Sequence, residues 1–411
     1  MEMKTRVAIV GCGGIAALRH IPAMKLLENA EITAYYDLFY DRAKEYAAKY
    51  GGTAYENYDT MLAEAPVDAV VVCTAARSHC EMTVKALLAG KHVLCEKPMA
   101  ISAEDAREMI AASERSGCKL MVSHNQRRYE PHIRAKELIR QGEIGRVISF
   151  RTFLGIKGPE YSSVFGINNG YFSRAMSGRG VMSDVGAHRI DLMRYILGAE
   201  YVRTFAYTPT LAKKKPDGTP IDVDDNAFVI CEMDNGIVGN LVFSWTSMSG
   251  NDRVSQFFGT EGVITLYGPD HPIVVEKADG SVKYFDLDDN PAQSETVLTD
   301  IDKLFIDCIR KDETPFVTGA DGLAVIQMLD ASSPTFPAIG KRWKSKKAPE
   351  NTNERVERFS VGCDGIPAAP QALGTADGRK HRALQRDDHQ LGRLRHTVAE
   401  TDRHSLRKAG T

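Results

Sequence analysis

Three short segments of this 411-residue chain carry reactive side chains in places where a fold must provide for them. The tripeptide Glu96-Lys97-Pro98 closes the apolar run His92-Val93-Leu94-Cys95. Opposite charges side by side at the end of a buried strand are costly unless something uses them, and Pro98 keeps Lys97 in extended backbone. In the second segment, Ser183-Asp184-Val185-Gly186-Ala187-His188, a carboxylate and an imidazole stand four residues apart, on one face of a helix. An imidazole beside a carboxylate is an acid/base unit whose pKa can be set near neutrality. The third, Gly11-Cys12-Gly13-Gly14-Ile15-Ala16, fits G-x-G-x-x-A. Its glycines allow a tight turn and let backbone N–H groups approach a pyrophosphate, with the positive end of a helix behind them. Each segment has a bland counterpart: a surface lysine in a strand-to-helix turn, a capping carboxylate near a core histidine, a merely tight turn. A ligand set of Asp184, His188 and Asp191 lacks a further cluster nearby, so no metal is expected.

What favours chemistry is the set of elements that must position these groups. Apolar runs at 6–10, 32–36, 69–73, 92–95 and 119–123 alternate with helical patterns at 16–27, 40–50, 79–89 and 103–116. Near-continuous Val/Ile/Leu runs between helices predict a parallel sheet covered on both faces. In such a sheet the carboxyl ends of the strands open onto one crevice, where ligands bind. That crevice collects the glycine loop, Asp37, Thr74, Lys97 and Arg127 of His124-Asn125-Gln126-Arg127. Asp37 lies 21 residues beyond Ala16, where a carboxylate binds the adenosine ribose hydroxyls and repels a 2′-phosphate. NAD is therefore the expected cofactor. Arg42 nearby keeps NADP open, and Asp37 as the N-cap of the helix near Asp41 is the alternative role.

Past residue 125 the pattern changes. Runs at 147–153, 202–207, 227–233, 237–245, 254–258 and 263–267, with turns such as Asp234-Asn235-Gly236, predict a large, mostly antiparallel sheet. Helical stretches at 297–310 and 319–329 close the unit. The expected architecture is α/β: an N-terminal Rossmann dinucleotide-binding domain over 1–124 and an α+β substrate domain over 125–340. The second sheet needs cover on one face, and a homodimer or homotetramer through that sheet would supply it. The stretch 155–174 holds Tyr161, Phe165, Asn168, Asn169, Tyr171 and Phe172. Aromatic faces and amides suit a polyhydroxylated ring, although packing of the loop on the sheet accounts for the same aromatics.

Composition narrows the classes. With 43% hydrophobic residues the chain can bury two ordinary domains. A net charge of −2 gives no global pull toward nucleic acid or anionic membrane, and no apolar run reaches membrane-span length. The eight cysteines show no CxxC and no metal spacing, which suits a reducing cytoplasm, and no signal-peptide core follows Met1. Residues 341–411 are different: 16 Lys/Arg against 9 Asp/Glu, with few apolar runs. Such a tail cannot bury enough surface to order itself. Pro334 and Pro337, where the last helix would continue, suggest a disordered extension or the product of an altered reading frame.

With these residues laid out, the chain resembles the Gfo/Idh/MocA oxidoreductases from about residue 5 to about 330. The motifs that carry the resemblance are VAIVGCGGIA, HVLCEKPMA, SHNQRRYEP, GRGVMSDVGAHRIDL and GTEGVITLYG. It implies hydride transfer between a nicotinamide and a ring hydroxyl or carbonyl of a sugar, sugar derivative or inositol. By resemblance, Lys97 lies beside the nicotinamide and substrate hydroxyl, Asp184 and His188 supply substrate binding and the acid/base group, and Arg127 contacts the substrate region. Cofactor contacts are expected from Gly11, Cys12, Gly13, Gly14 and Ile15 of the loop, from Asp37, and from Thr74, His79, Glu96 and Lys97. Substrate contacts are expected from Arg127, Asn168 and Tyr171 besides Asp184 and His188. One departure is Thr74-Ala75-Ala76-Arg77, where the family usually has Thr-Pro-Asn, so the loop lining the nicotinamide pocket is reshaped. Two other functions stay in view: an NAD-dependent glycosidase working by transient oxidation and elimination, and a non-catalytic NAD-sensing regulator. Retention of both Lys97 and His188 argues against the regulator.

Overall fold

Val7–Val10 and Ala69–Val72 are buried on both sides, which is why their sequences run apolar without alternation. In a computed structural model, which describes residues 3–163, 166–250, 252–287 and 298–332, they belong to a parallel six-stranded sheet. Its strands are β1 (Thr5–Val10), β2 (Ala30–Tyr36), β3 (Thr53–Tyr55), β4 (Ala69–Val72), β5 (His92–Cys95) and β6 (Leu120–Val122), in the order β3-β2-β1-β4-β5-β6. The strand order reverses between β1 and β4, so the crevice at their carboxyl ends is the topological switch point. Helices α1 (Ile21–Lys25), α2 (Tyr40–Tyr50), α3 (Tyr58–Glu64), α4 (Ala76–Leu88) and α5 (Ala103–Ser116) cover the sheet. A π-helical turn, Ala16–His20, precedes α1. The helix expected over 16–27 therefore begins wide and ends at Lys25.

The second sheet has eight strands: β7 (Val147–Gly155), β8 (Tyr201–Tyr207), β9 (Asn226–Met233), β10 (Val238–Ser244), β11 (Ser255–Gly259), β12 (Gly262–Leu266), β13 (Ile273–Lys277) and β14 (Val282–Phe285). They lie in the order β14-β13-β12-β11-β7-β10-β9-β8, and every neighbouring pair is antiparallel apart from β7 with β10. One face buries Val229, Leu241, Phe243, Phe257 and Ile264, while the other exposes Ile148, Phe205, Phe228, Ile230 and Val238. Helix α6 (Glu130–Arg140) connects the two sheets in sequence, and α7 (Arg174–Ser177) and α8 (Ala187–Leu197) lie between β7 and β8. Helix α8 is buried over Ala187–Arg194, polar residues included, and a second π-helical turn, Met182–Gly186, feeds into it.

The chain's last described helices, α9 (Ile301–Arg310) and α10 (Gly319–Ala331), pack back against the first sheet. Val122 donates its N–H to the Val317 carbonyl (3.1 Å), and Met121 bridges Thr318 in antiparallel sense. A capping box between Thr318 and Asp321 starts α10 at that point. The first sheet ends at Val122 and the second begins at Val147, yet the first sheet's cover is completed from beyond residue 300. The tail 341–411 lies outside the described residues, and no described helix is long and apolar enough to cross a membrane.

Candidate active site

The glycine loop divides its labour. Gly11 has φ +92°, and a Cβ there would lie 2.7 Å from the Cys73 carbonyl carbon and 2.8 Å from the Thr74 nitrogen. It serves the close approach of β1 to β4. At Gly13 and Gly14 a Cβ would meet nothing within 4 Å, so the loop's surface is open where the helical N–H groups point outward. Asp37 sits just past β2, with Oδ2 accepting the Cys12 N–H and Oδ1 the Phe39 N–H, both at 2.8 Å. Phe39, not Asp37, is the N-cap of α2. Arg42 flanks the carboxylate at 3.3 Å. The Cys12 N–H is thus committed to Asp37, and burial, with the Asp37 charge, pushes the Cys12 thiol up to about 12. An open loop at a helix start and a carboxylate fixed at the end of β2 fit NAD, with the loop on the pyrophosphate and Asp37 on the ribose. Ile15 precedes the π-helical turn and is half-buried.

Lys97 is where the two sheets' contributions meet. Its side chain is 12% exposed, and Nζ donates to the Asp184 carbonyl (2.9 Å) and to Asp184 Oδ1 (3.1 Å), 87 residues away. Asp184 lies in a π-helical turn, where the usual i→i−4 pairing is displaced. Trp245, at the end of β10, donates its indole N–H to Asp184 Oδ2 at 3.1 Å. Both carboxylate oxygens therefore have donors, and neither is His188. The expected Asp184–His188 pair is corrected accordingly: across the junction of a π-helical turn and an α-helix, four residues do not bring the two groups into hydrogen-bond contact.

His188 is 9% exposed and its Nδ1 is buried without a hydrogen-bond partner. Burial, followed by the Lys97 and Arg19 charges, holds its pKa well below the usual histidine value, so the ring is neutral. A neutral imidazole with a bare buried nitrogen beside an ammonium can accept a proton from a group that an ammonium also polarises. Tyr171 is 44% exposed as a residue, while desolvation of its hydroxyl, then the Asp184 charge, raises that group's pKa. Phe172 packs on Trp245, with ring centroids 5.9 Å apart. Asn169 ties its own loop, accepting from the Tyr171 N–H and donating to the Gly166 carbonyl. Phe165 and the Asn168 side chain lie outside the described residues.

Four of the expected contact residues already have protein partners. Arg127 forms a bidentate pair with Asp191 (2.6 and 2.8 Å) and reaches Asp321 at 3.0 Å. Its Nε and Nη2 are thus engaged by carboxylates of α8 and α10. His79 is buried, with its nitrogens 2.9 Å from the Pro98 carbonyl and 3.0 Å from the Thr74 carbonyl. Burial pulls its pKa down against the two carbonyls. It staples the reshaped Thr74-Ala75-Ala76 loop to the Lys97–Pro98 corner, whose peptide is cis. The Thr74 hydroxyl accepts from Ser78 (2.9 Å). Glu96 turns away from the crevice mouth to His20 (3.0 Å) and to the Lys97 N–H (3.0 Å). Burial opposes its ionisation, but the His20 hydrogen bond and charge bring its pKa down to about 2.

The same geometry adds residues that sequence patterns did not single out: Arg19 and His20 in the turn after the glycine loop, Trp245, Asp302 on α9, and Asn125 after β6. Asn125 is 2% exposed with both amide atoms unpartnered, and it lines a small cavity with Arg19, His20 and Asp302. The one Trp in a strand run was a usable signal, since a buried indole N–H needs an acceptor. Among the described residues no group of three or more His, Cys, Asp or Glu is arranged to hold a metal ion.

Comparison with known proteins agrees with this architecture. Residues 5–124 match the model of an oxidoreductase family with an NAD-binding Rossmann fold, and residues 132–265 match the GFO/IDH/MocA C-terminal domain. Glucose-6-phosphate 3-dehydrogenase of Bacillus subtilis is 30% identical over 246 residues, covering 59% of this chain and 68% of the relative. Myo-inositol 2-dehydrogenase of Thermotoga maritima is 28% identical over 323 residues, 77% of this chain and 92% of the relative. Among solved structures, the aldose-aldose oxidoreductase of Caulobacter crescentus, complexed with glycerol, superposes with a TM-score of 0.68 at 25% identity, covering 80% of this chain and 97% of that one. Fold, NAD-binding domain and C-terminal sheet together make this chain a member of the GFO/IDH/MocA oxidoreductase family.

Proposed function

We propose that the chain oxidises a ring hydroxyl of a sugar, sugar derivative or inositol, or reduces the corresponding carbonyl, with Lys97 and His188 as the proton-transfer and electrostatic groups. The observation that carries this is the neutral His188 with an unpartnered Nδ1, next to a Lys97 ammonium that Asp184 orients. When bound, NAD supplies the hydride acceptor. His188 takes the hydroxyl proton and becomes imidazolium, while Lys97 keeps its charge and stabilises alkoxide character on the same oxygen. Asp184, with both oxygens held, orients Lys97 and does not itself move a proton. Tyr171 completes the substrate side. The names of the relatives, an inositol dehydrogenase and a sugar-phosphate dehydrogenase among them, support a polyol or sugar as substrate.

A screen of inositols, aldoses and glycosides for NADH formation, followed through nicotinamide absorbance, tests the assignment. Oxidation of none of them, with NAD bound, would sink it; release of an aglycone without net NADH would favour the glycosidase route instead. The exposed apolar face of the second sheet, with Phe205, Phe228 and Ile230, supports self-association through that sheet. Light scattering of the wild type and of Phe228→Lys/Ile230→Lys tests that part separately.

A further inference from the structure

A buried row of ionisable groups runs from α9 to the backbone of Lys97. His20 Nδ1 lies 2.7 Å from Asp302 Oδ1, and His20 Nε2 lies 3.0 Å from Glu96 Oε1. The other Glu96 oxygen accepts the Lys97 N–H at 3.0 Å. All three side chains are 7% exposed or less. Ionised carboxylates only accept hydrogen bonds, so both ring nitrogens must carry protons for the row to close. The other groups facing the ring are the Cys73 thiol at the end of β4 and, through Glu96, the Arg19 and Lys97 charges. Burial opposes a charge on His20, and the Asp302 carboxylate with the Cys73 thiol overrides it, holding the pKa well above its usual value.

Three separate parts of the chain meet at this ring: the turn that follows the cofactor loop, the end of β5, and α9, 282 residues downstream. No atom of it faces the crevice as a base or nucleophile would, because both nitrogens are occupied. We propose that His20 is a positioning residue for Lys97: doubly protonated between Asp302 and Glu96, it fixes the carboxylate that holds the Lys97 backbone, and it ties that geometry to the glycine loop. The inference rests on Lys97 being the catalytic group of the proposed dehydrogenase. Without His20, Glu96 is a buried carboxylate short of a donor, and its side chain leaves the Lys97 N–H or protonates. The ammonium then no longer meets Asp184 in one geometry, which costs turnover more than binding.

The test compares His20→Ala, His20→Gln, Glu96→Gln and the double variant His20→Ala/Glu96→Gln in the full chain. Expected are a fall in kcat of roughly 10–100-fold for His20→Ala with the NAD dissociation constant within about 3-fold. His20→Gln, which can still donate to Glu96, recovers part of the loss. The double variant is no slower than His20→Ala within about 3-fold, since both changes break one row. Imidazole nitrogen NMR of the wild type shows His20 still doubly protonated above the ordinary histidine pKa of about 6.5, and the Lys97 amide resonance moves in both His20 variants. Unchanged kcat in both His20 variants, additive losses in the double variant, or a neutral His20 ring overturns the inference. If the wild type oxidises no sugar or polyol, the functional assignment fails, whereas the two NMR readouts still decide the row: an unmoved Lys97 amide refutes it.

Discussion

Alanine at Gly11 and alanine at Gly13 add the same methyl group, two residues apart, and are expected to act in opposite ways. At Gly11 the methyl would sit 2.7–2.8 Å from backbone atoms of Cys73 and Thr74, at a φ of +92° that L residues rarely adopt. The backbone conformation alone costs about 1–2 kcal/mol. Forcing β1 from β4 to relieve the contact adds about 1–3 kcal/mol of overpacking. A total near 3 kcal/mol, at about 2–4 °C per kcal/mol for domains of ordinary size, lowers Tm by roughly 6–12 °C. At Gly13 the methyl meets no protein atom within 4 Å, and it replaces the most flexible residue just ahead of a helix start. Stability there is unchanged or rises by about 0.5–1 kcal/mol. The methyl does, however, occupy the space through which a pyrophosphate approaches the loop, so NAD affinity falls by at least about tenfold, or 1.4 kcal/mol. Thermal melts with and without NAD, together with a fluorescence titration of NADH, separate the two effects. Gly13→Ala that binds NAD normally, or Gly11→Ala that melts with the wild type, would refute this division of the loop.

Further outcomes follow from the site. Lys97→Met and His188→Gln each reduce kcat by about 10²–10⁴-fold while NADH titration stays near wild type. Because the Lys97 charge is the largest Coulombic influence depressing His188, Lys97→Met also moves the acid limb of any residual activity to higher pH in a pH–rate profile. Trp245→Phe keeps the packing on Phe172 but strips a donor from Asp184 Oδ2, and is expected to lower kcat about tenfold with little change in Tm. Glu96 and Asp321 both have pKa values near 2, below their ordinary 4.5 and 3.8, and burial opposes this in each. Their contribution to stability is complete above the ordinary values and lost as pH falls toward about 2, so urea midpoints should drop over that window. His20 has the opposite sign: its contribution is complete below pH 6.5 and is lost only as pH rises through its raised value. Removing Arg127 (Arg127→Met) should flatten the Asp321 part of the acid loss in the same urea series.

Fold and site were legible in the sequence to different depths. The parallel sheet announced itself because strands buried on both faces must be apolar throughout, and β4 and β5 are. Strand β3 has three residues, two of them half-buried, and β14 exposes three of its four, so neither shows a hydrophobic signal. Helix α6 has no side-chain N-cap, which hid its start. At the site, Lys97 stood out because a charge at a buried strand end needs a reason. What sequence could not supply was the partner of each polar group. Arg127 finds Asp191 across 64 residues and His20 finds Asp302 across 282, so groups at one crevice looked alike although some face the ligand and others face the protein. The π-helical turn at Met182–Gly186 hid the Asp184 arrangement in the same way, since a spacing of four assumes an α-helix.

The return of α10 to β6 has a bearing on how the chain is made. The Val317 carbonyl and Thr318 cap the outer edge of the cofactor sheet, and α10 covers α5 and β6. A nascent chain that has emerged only through residue 124 therefore carries all six strands but an open, sticky flank of Ile110, Leu120 and Val122. That flank stays open until some two hundred more residues have been synthesised, a span of roughly 10–40 s at 5–20 residues per second. Excising residues 1–124 as a free-standing nucleotide binder should thus give an aggregating fragment. Fusing 298–332 to its end through a flexible linker should restore a folded one.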